Sequence, residues 1–322
     1  MPGTPRKHNR PPEIRPMSVK GLNDTLQETL AQSLAKARHL STAEVERILS
    51  RRLAVSPSGS ETQALAFETL WSLDDLEVGQ VNCLKEASPL VQQRIAYDLA
   101  YARFTEAYAI EKAGMSFAAK MSLLAPTLNE QKLYSLFAAE EARHFDFIDR
   151  SLGHPDHLDT NPFIELLHHL ILTGERSCLL LLVQVVLEGW GVEHYAKMAN
   201  TCQQPEVRKA LHGILADEAA HHGSGLSLFD IQQLNNRDLD YLEDKLSQFL
   251  QLVAVGPVSA LAILTKHLGP FSSLQRKDIL QELNATSETQ RKLNLLKHLL
   301  HKAGAEQLVE RLEAKSAFVP LC

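Results

Sequence analysis

The sequence predicts an all-α protein, and three observations lead to this class. Good helix formers, chiefly Leu, Ala, Glu, Lys and Gln, dominate the 322 residues. Apolar residues recur at i, i+3 and i+4 almost throughout, and no segment alternates with period two over more than a few positions. Turn-forming residues, as in SPSGS at 56–60, separate the periodic stretches. We therefore expect a series of amphipathic helices.

The N-terminal part of the chain is expected to hold a tail and a helical extension. Residues 1–17, MPGTPRKHNRPPEIRPM, are basic and proline-rich and precede no apolar stretch, which favours a disordered tail over a secretory signal. The extension, residues 18–86, is predicted to contain short helices over 18–38, 42–53 and 59–74.

Four longer helices are predicted within residues 87–232. Pro89 and Pro205 suit the first turns of the first and fourth of these helices. Thr127 and Glu130 have the spacing of a capping box at the start of the second. Short connections make each successive pair an antiparallel hairpin. The four helices are expected over roughly 88–124, 127–153, 163–199 and 205–230, and smaller amphipathic helices are expected in the C-terminal region, 233–322.

An internal repeat relates the two hairpins with a shift of 77 residues. In the first helix of each hairpin, IEKAGMSFAAKM (110–121) matches LEGWGVEHYAKM (187–198). In the second helix, AEEARH (139–144) matches ADEAAH (216–221), and in both copies 30 residues separate the two aligned glutamates. The aligned pairs are Glu111 with Glu188, Gly114 with Gly191, Glu141 with Glu218, and His144 with His221.

The repeated acids and histidines predict a binuclear metal site. Residues three apart share a helix face, so Glu141 with His144, and Glu218 with His221, can each chelate an ion. The 30-residue separation returns the upstream glutamate of each hairpin to the same level, so that four carboxylates and two imidazoles converge in a four-helix bundle. Two divalent cations would balance four carboxylates that burial would otherwise protonate. Carboxylate and imidazole ligands without thiolates suit iron or manganese.

EEARH at 140–144 resembles the (Asp/Glu)-Glu-x-Arg-His signature of the ferritin-like di-iron carboxylate superfamily. That group includes multicomponent monooxygenase hydroxylases, acyl-carrier-protein desaturases, ribonucleotide reductase small subunits, rubrerythrins and ferritins. The resemblance covers roughly 88–230 and implies a ferritin-like four-helix bundle with extra helices at both ends. It also implies that Glu141 and Glu218 bridge the ions. The full ligand set that it implies is Glu111, Glu141, His144, Glu188, Glu218 and His221.

The same resemblance assigns supporting roles to neighbouring residues. Glu140 and Asp217 would orient the ligating histidines, and Arg143 would join that network. Three departures leave the subfamily open: the second motif has Ala220 where an arginine often stands, Ile148 occupies the place of a reductase tyrosine, and no Cys-x-x-Cys pair is present.

Other residues near the motifs remain alternatives. Glu106 and Glu193 lie five residues from a predicted ligand, about 140° around the helix, so either would bind metal only if it replaced that ligand or if the helix were distorted. His222 points about 100° away from its neighbour, which favours a packing role. Four more residues near the metal level would line a substrate pocket or reflect close helix packing: Gly114, Gln184, Gly191 and Tyr195.

By resemblance, the expected activity is O₂-dependent oxidation of a small or carrier-bound organic substrate by two Fe ions, and an Fe/Mn pair also fits. Hydroxylation, desaturation, N-oxygenation and oxidative cleavage all remain open, because a fold does not fix its substrate. An external electron donor and a homodimer are compatible with this activity. One alternative is a ferroxidase or iron-handling protein without an organic substrate, and another is a metal-free helical module that binds a partner.

Bulk properties exclude several classes. A net charge of −6 and a pI near 6.2 argue against nucleic-acid binding. The apolar runs CLLLLVQVVL (178–187) and LVAVGPVSALAIL (252–264) are shorter than the roughly 20 residues that span a bilayer, so no membrane partner is expected. Four scattered cysteines predict reduced thiols and a cytoplasmic protein.

Overall fold

The computed structural model describes Leu49, residues 65–153 and residues 161–322. These residues form helices and no strand, so the all-α prediction is confirmed. The predicted tail over 1–17 and, apart from the helical Leu49, the short helices over 18–38 and 42–53 lie outside the described residues. The α-helices are α1 Asn82–Lys85, α2 Pro89–Leu124, α3 Leu128–Leu152, α4 Pro162–Thr173, α5 Arg176–Leu179, α6 Glu188–Thr201, α7 Pro205–Leu228, α8 Asn236–Ala254, α9 Val258–Leu268, α10 Ser273–Glu282, α11 Ala285–Lys302 and α12 Glu306–Ala314. A π-helix covers Leu180–Leu187, and 3₁₀ turns cover Phe67–Thr69 and Ile231–Gln233.

Residues 65–74 form no α-helix, so the helix predicted over 59–74 is wrong there. The Ser72 backbone N–H donates to Oδ2 of Asp75 at 3.0 Å, and the Asp75 N–H donates to Oγ of Ser72 at 3.1 Å. Such side-chain bonds offer the backbone an alternative to helical hydrogen bonding. The irregular segment instead buries Trp71 in the core.

Helices α2 and α3 form the first hairpin, and α6 and α7 form the second. Pro89 and Pro205 occupy the first turns of α2 and α7. Oγ1 of Thr127 accepts the Glu130 N–H at 3.2 Å and caps α3, which ends at Gly153 with a positive φ of 74°. These three helices therefore begin and end within a few residues of the predicted positions.

The third long helix, predicted as continuous over 163–199, is broken in the structure. Helix α4 ends before Gly174, whose ψ of 135° is extended. The buried Nζ of Lys120 donates to the carbonyl oxygens of Ile171 at 2.7 Å, Leu172 at 3.2 Å and Gly174 at 2.9 Å. One cation thus satisfies carbonyls that the broken helix leaves without intrahelical partners. The chain resumes as α5, continues through the π-helix and becomes α6.

Two apolar cores lie around the bundle. One contains Phe117 and Tyr134 of the first hairpin, the π-helix, and residues of α8, α11 and α12. The other contains Trp71, Phe104 and Met198 with parts of α7, α9 and α10. The C-terminal helices therefore pack against the bundle and shield the π-helix from solvent.

Two helical stretches are long and apolar enough to cross a membrane by length and composition alone: Arg176–Thr201 and Asn236–Leu268. Core helices of soluble proteins pass the same test. The first stretch holds Glu188 and lies between the two cores, and the second is interrupted at Gly256 and Pro257. Neither stretch by itself indicates a membrane protein.

Candidate metal centre

Six side chains from four helices meet inside the bundle. Helix α2 provides one glutamate, α6 another, and α3 and α7 each provide a glutamate and a histidine. Their ligand atoms fall into two groups, within each of which all atoms lie within 4.8 Å of one another. Glu141 and Glu218 belong to both groups, the arrangement expected of bridging carboxylates. The groups are Glu111, Glu141, His144 and Glu218, and Glu141, Glu188, Glu218 and His221.

The imidazole of His144 lies between ligand oxygens on one side and an acid on the other. Its Nδ1 is 3.2 Å from Oε2 of Glu111 and 3.5 Å from Oε1 of Glu218. Its Nε2 is 3.1 Å from Oδ2 of Asp217. Nδ1 is therefore directed to the centre, while the acid holds the other ring nitrogen.

His221 repeats this arrangement from the opposite hairpin. Its Nδ1 is 3.2 Å from Oε1 of Glu141 and 3.9 Å from Oε2 of Glu188, and its Nε2 is 3.0 Å from Oε2 of Glu140. Each histidine is thus oriented by the acid that precedes the ligand glutamate of the other hairpin. Arg143, partly exposed, lies at the edge of this network, 3.9 Å from Oε1 of Glu140.

The donor set fits two divalent cations. Oε2 of Glu111 and Nδ1 of His144 are buried and have no hydrogen-bond partner among the described residues. Buried polar atoms of this kind are costly unless a cation or proton satisfies them. Four carboxylates balance the charge of two divalent ions, and the mixture of carboxylate and imidazole suits iron or manganese.

In the protein without metal, protons take the place of the cations. Burial, reinforced by the charge of Glu218, raises the pKa of Glu141 to about 8, and burial raises the pKa of Glu188 well above its usual range. Burial opposes protonation of His221, but the carboxylate of Glu141 outweighs it and raises the pKa to about 9. Burial likewise opposes protonation of His144, and contacts with surrounding carboxylates again raise its pKa. Metal binding must therefore release protons.

The two aligned glycines have different surroundings. A Cβ placed on Gly114 would lie 2.3 Å from Oε2 of Glu141, so only glycine lets that carboxylate approach α2. A Cβ on Gly191 would meet no atom of the described chain within 4 Å. The repeat is therefore asymmetric: the first copy is filled by its own ligand, whereas open space lies beside the second.

The other two residues that the sequence placed near the metal level are engaged by protein groups. The Tyr195 hydroxyl donates to Oε1 of Glu111. Gln184 is fully buried; its Oε1 accepts from the Tyr134 hydroxyl at 2.8 Å, and its Nε2 donates to the carbonyl oxygen of His221 at 3.1 Å. Gln184 thus connects the π-helix with α3 and α7. Of the four proposed pocket residues, only Gly191 borders open space.

The alternative ligands lie outside both groups. Glu193 pairs with Arg291 of α11. Nδ1 of His222 is 3.0 Å from the carbonyl oxygen of Val185 in the π-helix. Glu106 is half-buried near other charged side chains. The repeat, which favoured Glu111 over Glu106, selected the residue that the structure places in the cluster.

Residues 92–228 match a family model described as a ferritin-like domain. The match covers under half of the chain and includes all six clustered residues. Comparisons with curated proteins and with solved structures gave no match. The chain therefore contains a ferritin-like domain whose buried carboxylate and histidine cluster fits a di-iron site, and α8 to α12 are additions to that domain.

Proposed function

We propose that this protein is an O₂-dependent di-iron oxidase or oxygenase that acts on a small organic substrate. The observation that carries the proposal is the buried cluster in which Glu141 and Glu218 belong to two overlapping sets of ligands. Ferritin-like domains also occur in proteins that store iron, so the ligand set alone supports a metal protein rather than one reaction.

The residues of the chain would organise the reaction. Bound Fe(II) supplies the electrons that reduce O₂. Glu140 and Asp217 hold the imidazoles in orientation, and the two apolar cores limit the access of water. In a hydroxylation, one oxygen atom enters the product and the other leaves as water, with two protons and two electrons from an external donor. We include such a donor and a cytoplasmic setting in the proposal, the latter because all four cysteines are free.

The environment of Glu188 supports an organic substrate. Its side chain is 10% exposed, the largest value among the six clustered residues, and Gly191 follows one helical turn later beside open space. A molecule could approach the cluster from this side, whereas Gly114 and Glu141 close the corresponding position in the first hairpin. Iron handling requires entry of ions but no such space for an organic group.

The test is to load the protein with Fe(II) without oxygen, admit O₂, and follow O₂ uptake and iron oxidation with a panel of organic compounds. The proposal expects about two Fe per chain and uptake that one class of compound accelerates while being converted to product. Glu218→Ala is the control and should lose both iron and uptake. Rapid oxidation that deposits ferric iron regardless of added compounds would instead establish iron handling. Protein that binds no iron would establish a metal-free module.

A further inference from the structure

Charged side chains lie together one to two helical turns from the metal centre, at the junction of α2, α6 and α11. They are Arg103 and Glu106 on α2, His194 on α6 and Lys292 on α11. All four are half-buried. Arg103 and Lys292 both lie close enough to Glu106 and His194 for their charges to act on these groups.

The two cations of this cluster have no acidic partner of their own. Arg103 donates Nη2 to the carbonyl oxygen of Asp75 at 3.2 Å, while its Nη1 is buried and has no hydrogen-bond partner in the described chain. Within the same described residues, Lys292 makes no ion pair or hydrogen bond. Nearby cations differ, because Lys197 pairs with Glu77 and Arg291 with Glu193.

The remaining two members do not restore the balance of charge. Burial raises the pKa of Glu106, which weakens it as a negative partner. Burial, followed by the charges of Arg103 and Lys292, lowers the pKa of His194 to about 4, so this imidazole is neutral at physiological pH. An excess of positive charge in a half-buried site favours an anionic ligand with hydrogen-bond acceptors.

This cluster is continuous with the open side of the metal centre. Glu188, Gly191 and His194 follow one another at intervals of three residues on α6 and therefore lie on successive turns of one face. Glu188 belongs to the metal cluster, Gly191 borders open space, and His194 belongs to the charged cluster. The face therefore leads from the site of oxidation to the site of excess positive charge.

We propose that this face of α6, with Arg103 and Lys292 opposite it, binds an organic anion whose carboxylate or phosphate group lies at His194 and whose apolar part lies at Gly191. The inference rests on the proposed oxidation of an organic substrate at the metal centre, and it assigns that substrate to the class of organic acids or phosphate esters.

Binding of three eight-carbon probes to the iron-loaded protein under argon tests the charge requirement. Octanoate and octyl phosphate should each bind at least about tenfold more tightly than octanol, as expected for a charge-assisted contact. Comparison of the two anions identifies which acidic group fits better. Lys292→Met should abolish the preference for anions, and Lys209→Met, at an exposed position on α7, should retain it. Equal binding of all three probes by the wild type, or an unchanged preference in Lys292→Met, would overturn the proposal.

A second pair of variants tests the position of the apolar part. Gly191→Leu should weaken binding of all three probes, whereas Gly213→Leu, at another glycine of the described chain with open space before it, should bind them as the wild type does. Equal weakening by both variants, or by neither, would contradict this placement. Iron content and O₂ uptake are measured separately on each protein. Anion binding that depends on Lys292 in a protein without iron would overturn the proposed function alone, and normal iron chemistry without anion preference would overturn this inference alone.

Discussion

Nε2 of His144 lies 3.1 Å from Oδ2 of Asp217, so a histidine of the first hairpin is oriented by an acid of the second. His221 and Glu140 form the reciprocal contact at 3.0 Å. The two hairpins therefore dock through the same interactions that direct the imidazoles towards the metal centre. Formation of the centre and correct pairing of the hairpins are one structural event.

Loss of either orienting acid should weaken metal binding. Asp217→Asn and Glu140→Gln are each expected to lower metal affinity about 10- to 100-fold, because the ligating histidine loses the carboxylate that fixes its orientation. Calorimetric titration of each purified variant measures the change. Asp278→Asn, at an exposed position on α10, is the control and should bind as the wild type does. Equal affinities in all four proteins would show that the contacts between hairpins are not used.

The two aligned glycines should respond oppositely to alanine. Gly114→Ala should lose metal, because its Cβ would occupy space within 2.3 Å of Oε2 of Glu141. Gly191→Ala should keep metal and gain up to about 1 kcal/mol in free energy of unfolding from helix propensity. Metal analysis and denaturant unfolding of both variants provide the test. Retention of full metal binding by Gly114→Ala would contradict the close approach of Glu141 to α2.

Metal affinity should rise with pH. The raised pKa values of Glu141, about 8, and His221, about 9, mean that both groups carry protons at pH 7 in the metal-free protein. Binding must displace these protons, so affinity increases as pH rises towards the two pKa values, by about tenfold per pH unit for each proton released. Calorimetric titrations with Co(II) between pH 6 and 8, in buffers of different ionisation enthalpy, measure both affinity and proton release. An affinity independent of pH would be the contrary result.

Shared and unshared ligands should differ in stoichiometry. Glu141→Ala and Glu218→Ala each remove a carboxylate that belongs to both groups and should abolish binding of both ions. Glu111→Ala and Glu188→Ala each affect one group and should retain one ion per chain. Metal analysis after gel filtration distinguishes these outcomes. Loss of both ions in all four variants would mean that the two positions do not fill independently.

The buried Lys120 should contribute to stability without affecting the metal centre. Lys120→Met removes three hydrogen bonds to the end of α4 and should lower the free energy of unfolding by about 3 kcal/mol. Lys132→Met, at an exposed position on α3, should change it by no more than about 0.5 kcal/mol. Denaturant unfolding measures both values, and equal stabilities would show that other donors satisfy these carbonyls.

The sequence contained enough information to predict the four-helix bundle and the residues that cluster in it. A fixed spacing of 30 residues across a short hairpin brings two ligands to one level, and the second copy distinguishes Glu111 from Glu106. The pairing of His144 with Asp217 was less accessible, since it depends on how the hairpins dock rather than on spacing within either one. The sequence also placed Gly114 and Gly191 as equivalents, and only the packed side chains reveal that one is closed and the other open.

The interruptions of the third helix had no clear signal. Leu180–Val186 is apolar on every side, so its periodicity cannot distinguish an α-helix from a π-helix. Gly174 marked the break only weakly, because isolated glycines also occur within helices. Tyr134 was the missed member of the network at Gln184. It lies seven residues before Glu141 on the same helix face, a spacing that could have identified it.

Anomalous diffraction at the iron absorption edge from crystals loaded with Fe(II) under anaerobic conditions tests the central claim most directly. The account predicts two iron peaks, both in contact with Glu141 and Glu218, one also beside His144 and the other beside His221. No peak in the bundle, or iron held only by residues outside these two groups, would contradict it.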